Sequence, residues 1–129
     1  MAKILIIDDD PDIVESMRVV LESHGYSVSS AVNGPEGLKL ALKENPGLII
    51  LDVMLPEGMD GFEVARRMKG DPKTNKIPIL MLTAIKEKTG LDFQSELGEG
   101  GRIPADDYCA KPLDHDALLR KVKKFLGSK

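Results

Sequence analysis

The sequence predicts an α/β fold, a doubly wound five-stranded parallel sheet with helices on both faces. Two observations carry this reading. Short apolar runs alternate five times with amphipathic helical patterns, the arrangement that layers helices on either side of a parallel sheet. Three of the runs, Ile4-Leu5-Ile6-Ile7, Leu48-Ile49-Ile50-Leu51 and Ile79-Leu80-Met81-Leu82, are continuously apolar, as strands buried on both faces must be.

The second run, Ser27 to Ala31, is polar at alternate positions, which suits a strand near an edge. The fifth is Asp107 to Ala110. Helices fill the intervals. Asp10 can cap the first, with Pro11 at its first position, where a missing N–H costs nothing. Ile13, Val14, Met17, Val20 and Leu21 then form one apolar stripe, and Gly25 stops it. Gly34-Pro35 opens a second helix, with Leu38, Ala41 and Leu42 expected inward. Phe62, Val64, Ala65 and Met68 mark a third. Between Ala84 and Pro104, Gly90, Gly98, Gly100 and Gly101 oppose a long helix, because glycine loses the most backbone entropy there. A short helix within 86–97 followed by a loop of low local stability is expected. Asp114 caps the last helix, whose inward face is Leu118, Leu119, Val122, Phe125 and Leu126.

Composition narrows the function. The 129 residues fit one domain, 1–129, and the chain ends just after the last predicted helix. Apolar residues make up 42% and charged residues 30%, a globular balance. A formal charge of −3 argues against direct nucleic-acid binding. No apolar run approaches membrane-spanning length, so no membrane insertion is expected. The N-terminal residues lack a signal-peptide cleavage region. The lone Cys109 has no internal partner, which points to a reducing, cytoplasmic location.

The chemistry-bearing residues follow the strands. Asp8, Asp9 and Asp10 follow the first, Asp52 the third, Thr83 ends the fourth and Lys111 follows the fifth. Right-handed crossovers bring all of these strand ends to one edge of the sheet, where ligands of such folds bind. Convergent carboxylates repel unless a cation joins them. An oxygen-rich set of this kind suits Mg²⁺, which takes one or two carboxylates plus phosphate oxygens. An aspartate beside it can accept a phosphoryl group as an acyl phosphate.

These motifs resemble the response-regulator receiver domain of two-component signalling. The matching residues are Ile4 to Pro11, Leu51-Asp52-Val53-Met54-Leu55-Pro56, Met59-Asp60-Gly61, Leu82-Thr83-Ala84, Ala105-Asp106-Asp107-Tyr108 and Lys111-Pro112. The resemblance covers nearly the whole chain. It implies a flavodoxin-like strand order 2-1-3-4-5, as in the chemotaxis receiver. It implies Asp52 as phosphoacceptor, and a metal site of Asp8, Asp9, Asp52 and the Met54 backbone carbonyl, filled by Mg²⁺ with Mn²⁺ able to substitute. Thr83 and Lys111 resemble the phosphate-sensing pair and Tyr108 the aromatic switch residue. The Lys111–Pro112 bond is expected to be cis. The implied partners are a sensor histidine kinase or histidine phosphotransfer protein and a downstream protein. The chain departs from the family at Glu57, which adds a residue beside the site, and in a longer, glycine-rich segment from Thr83 to Lys111.

Blander readings stand beside these. Asp8 and Asp9 could serve as simple helix caps, Tyr108 as a static half-buried strand residue, and Lys111-Pro112 as a plain exit from a strand. The basic stretch Arg120, Lys121, Lys123 and Lys124 is either a solvated face or a docking patch for an acidic partner. His24 and His115 lack metal-ligand spacing and read as surface residues. Two other functions stay open. One is the regulatory domain of a larger DNA-binding or enzymatic regulator. The other is a metal-dependent phosphohydrolase, for which Asp8 and Asp10 have the spacing of a nucleophile and a second acid.

Overall fold

The computed structural model describes residues 2–55, 59–83, 105–110 and 114–127. Its elements run β1 (Lys3–Ile7), α1 (Pro11–Ser23), β2 (Ser27–Ala31), α2 (Gly34–Glu44), β3 (Leu48–Asp52), α3 (Gly61–Lys69), β4 (Ile79–Thr83), β5 (Asp107–Ala110) and α4 (His115–Leu126). The expected helix within 86–97 lies outside the described residues, as do Glu57, Ile85 and the Lys111–Pro112 bond.

All five strands are parallel, in the order β2-β1-β3-β4-β5. The polar-patterned β2 is an edge strand, as its alternation implies, and β5 is the other edge. Alternating side chains point to opposite faces of a strand, and here the two faces feed two cores. Leu5, Ile7, Ile49, Leu51, Ile79 and Met81 pack with Ala41 of α2 and Val64, Ala65 and Met68 of α3. Ile4, Ile6, Leu48, Ile50, Leu80 and Leu82 pack with Met17 and Leu21 of α1 and Leu118 and Val122 of α4. Each fully buried Ile or Leu stabilises by about 1.5–3 kcal/mol, so the central strands carry most of the fold.

The helix starts follow local chemistry. Asp10 caps α1 by accepting from the backbone N–H of Asp12 and Ile13. Asn33, Asp60 and Asp114 cap α2, α3 and α4 in the same way. Gly25, at φ 91°, turns the chain out of α1 toward β2. The first helix is narrower than its apolar stripe suggests, since only Met17 and Leu21 are fully buried.

One expectation fails. Leu42 was placed inward by its spacing from Leu38, but it is 50% exposed. The buried face of α2 is instead Gly34, Gly37 and Ala41. A Cβ on Gly37 would sit 2.5 Å from Ile7 Cδ1. The helix therefore seats against the sheet through small residues, and that rotation carries Leu42 off the contact face.

Gly61, the first residue of α3, is required by a closer approach still. Its N–H donates to the Val53 carbonyl at 2.8 Å. A Cβ there would collide with the Asp52 carbonyl oxygen and the Val53 Cα. Both are backbone atoms that cannot swing aside. Gly61→Ala is expected to destabilise the protein by about 2 kcal/mol or more. Urea unfolding checks this, and an unchanged midpoint would show that α3 does not depend on this approach.

Candidate functional site

Ladder hydrogen bonds continue past the strands and set the site's backbone. The Asp8 N–H donates to the Ala31 carbonyl at 3.0 Å, and the Val53 N–H to the Leu82 carbonyl at 3.1 Å. Asp8 and Asp52 thus emerge from neighbouring strands at one edge. Asp8 is 1% and Asp52 5% exposed, while Asp9 is exposed. One carboxylate oxygen from each of Asp8, Asp9 and Asp52 lies within 4.8 Å of the others. Asp8 Oδ1 accepts the Asp10 N–H at 3.0 Å, and Asp52 Oδ1 accepts the Met54 N–H at 3.2 Å. These local bonds orient both carboxylates.

Asp10 is spent elsewhere, as the cap of α1. It does not join the cluster, which removes the second acid that a phosphohydrolase reading of Asp8 and Asp10 requires. Thr83 ends β4 and is 5% exposed. It pairs in register with Ala110, while Met81 pairs with Tyr108. Met54, two residues after Asp52, is 68% exposed. Lys111 lies outside the described residues, so its expected place beside Asp52 rests on the resemblance alone. His24 and His115 are exposed, as read. Cys109 is buried, and loss of solvation pushes its thiol pKa up, which keeps it protonated and unreactive.

A five-stranded parallel sheet in this order, with three carboxylates gathered at its C-terminal edge, is the architecture that the resemblance implies. The comparisons with known proteins name it. Residues 4–123 match the response regulator receiver domain family, so the chain belongs to the receiver family of two-component systems. It is 35% identical to the protein PilH of Pseudomonas aeruginosa, over 98% of this chain and 99% of that one. It is 44% identical to the DNA-binding dual master transcriptional regulator RpaA of Synechocystis over 98% of this chain, but spans only 49% of that relative. Among solved structures, the receiver domain of a Pseudomonas aeruginosa sensor histidine kinase, with a magnesium ion coordinated in its active-site cleft, superposes with a TM-score of 0.82. It is 26% identical, with 98% of each chain covered. Receiver domains are signalling proteins rather than enzymes in general. Among the described residues, no helix is long and apolar enough to cross a membrane.

A second cluster escaped the sequence reading. Asp107, 6% exposed, accepts from Lys121 Nζ at 3.1 Å and Lys124 Nζ at 2.9 Å through Oδ2, and from the Tyr108 N–H at 2.8 Å through Oδ1. Two of the four residues of the basic stretch are therefore neither a plain solvated face nor a free docking patch. The signal was there: Asp107 shares its pleat with the buried Cys109, and an acid on an inward face needs a cation.

Burial by itself would raise the Asp107 pKa, but Lys124, the Tyr108 N–H and Lys121 together hold it below the usual carboxylate range. A depressed folded pKa gives stability that is present above the unfolded value and is lost as pH falls through the folded one. Both lysines are partly exposed, so screening limits the effect. Asp107→Asn is expected to cost about 1 kcal/mol at pH 7. Unfolding measured as a function of pH should show that gap close as pH drops below about 4. A gap independent of pH would assign the loss to packing instead.

Proposed function

We propose that this chain is a phosphorylation switch in which Asp52 is the acceptor. The observation that carries the reading is the buried end of β3, where the Asp52 carboxylate lies beside those of Asp8 and Asp9. A carboxylate oxygen of Asp52 attacks the phosphorus, and the bond to the donor breaks. The donor is a phosphohistidine of a sensor kinase or of a phosphotransfer protein.

Three carboxylates this close fit a hard divalent cation such as Mg²⁺. Asp8, Asp9, Asp52 and the Met54 carbonyl are the groups that would hold it, with Asp9, the exposed member, the main addition to Asp52. When bound, the cation offsets the repulsion between Asp52 and an incoming phosphate dianion. Lys111 and the Thr83 hydroxyl take the remaining phosphoryl oxygens as charge shifts during transfer.

Thr83 continues the pleat of Ile79 and Met81, the face on which Tyr108 packs. Movement of the Thr83 hydroxyl toward the phosphoryl group thereby opens space for the Tyr108 ring to turn inward, which alters partner binding. The match to about half of RpaA favours a second reading, that this domain regulates a longer DNA-binding or enzymatic protein. The nearly end-to-end match to PilH favours a stand-alone receiver. A cytoplasmic setting follows for either, since the phosphodonors are cytoplasmic.

With Mg²⁺ and acetyl phosphate the protein is expected to gain one phosphoryl group by mass, and Asp52→Asn to lose that gain. Equal labelling of the variant would assign the acceptor elsewhere.

The phosphoryl group is lost when water attacks in line. By family resemblance Met54 and Ile85 border that approach. Neither apolar side chain can orient a water, so self-catalysed loss is slow and the phosphorylated state persists. Met54→Asn with Ile85→Glu is expected to shorten the lifetime several-fold after donor removal. A decay no faster than wild type would show that these side chains do not set it.

A further inference from the structure

We propose that Lys121 is a positioning residue for Tyr108: its ammonium, anchored on Asp107, holds the ring at the open edge of the sheet and opposes the turn toward Thr83. The inference rests on the reading of Asp52 as phosphoacceptor and Tyr108 as its switch, and it adds the residue that sets the balance between the two ring positions.

The geometry comes from two faces of the sheet meeting at its edge. Tyr108 packs with Met81 and Ile79 on the face covered by α2 and α3. The α4 helix packs on the opposite face, through Leu118 and Val122 against Leu80, Leu82 and Cys109. A side chain from α4 can meet the Tyr108 ring only by passing around β5, the edge strand. Lys121 does so. Its Nζ lies 5.7 Å from the ring centroid and 3.1 Å from Asp107 Oδ2. An ammonium at that distance is attracted to the ring face. The same carboxylate accepts the Tyr108 backbone N–H through Oδ1. Asp107 therefore holds the residue's backbone and the cation over its ring at once.

The contact exists only while the ring stays at the edge. Turning inward toward Thr83 forfeits it, so Lys121 favours the unphosphorylated arrangement, and phosphorylation and loss of this contact must favour each other. Lys124 supplies an internal control. It shares the Asp107 acceptor at 2.9 Å, yet its Nζ sits over the Phe125 ring at 5.2 Å. Neutralising Lys124 removes the same charge from the same carboxylate without touching the switch ring.

The test reads the ring and the site separately. The chain has two tyrosines, Tyr26 and Tyr108. Protein labelled with 3-fluorotyrosine gives two ¹⁹F resonances, assigned with Tyr26→Phe. Beryllofluoride with Mg²⁺ serves as the probe of the acyl-phosphate state. Lys121→Gln should shift the Tyr108 resonance and tighten beryllofluoride binding by about threefold. Lys121→Arg should restore both, and Lys124→Gln should leave both at wild-type values. The proposal is overturned if Lys121→Gln leaves ring or affinity unchanged, if Lys124→Gln reproduces the effects, or if Lys121→Arg fails to restore them. A wild-type protein that binds no beryllofluoride overturns the acceptor reading and this inference with it. Binding by the wild type with no response to Lys121→Gln overturns the inference alone.

Discussion

Mutual repulsion among Asp8, Asp9 and Asp52 is the constraint around which the molecule is arranged. Oxygens of the three lie within 4.8 Å of one another. Carboxylates this close repel one another unless a cation joins them, so the gathering has to be set by the backbone. It is imposed by the ladder, which runs from Ile4 to Ile7 against Leu48 to Leu51 and leaves Asp8 and Asp52 at adjacent strand ends. The ladder in turn is held by strands with no exposed residue in β3 or β4. A strongly apolar centre thus supports a cluster of carboxylates at its polar edge.

The same economy explains the close approach at Gly61. Gly61, the first residue of α3, lies with its backbone against that of Asp52 and Val53. That contact fixes the main chain at Asp52 and Val53. Asp60 caps the helix that starts there. Asp52 and Tyr108 belong to different strands. Tyr108 sits on β5, paired on one side only.

The edge is also where opposite faces can communicate. In the sheet centre a helix on one face cannot touch a side chain on the other. At β5 the Lys121 side chain spans that gap, and Asp107 anchors both ends of the contact. The face built by α4 therefore meets a ring that belongs to the other core through three residues, Lys121, Asp107 and Tyr108.

The sequence by itself determined the strands, the caps and the membership of the acidic cluster. Runs such as Ile4 to Ile7 are legible because a strand buried on both faces has no polar positions to confuse the period. Asp10 and Asp114 are legible as caps because capping is decided by neighbours two or three residues away. Topology sends Asp8, Asp9, Asp10 and Asp52 to one edge, since every strand of a parallel sheet ends there, and the resemblance singles out Asp8, Asp9 and Asp52. Tertiary structure decided what depends on distances between elements. The inward-facing prediction for Leu42 failed because Gly37 lets α2 rotate onto Ile7, a fit that periodicity does not contain. Lys121 and Lys124 read from the sequence only as a solvated face or a docking patch because their partner, Asp107, lies 14 and 17 residues away on another element. Which cation meets which carboxylate, and which ring lies beneath it, is set by how α4 packs across the edge of the sheet, and no local pattern in the chain encodes that angle.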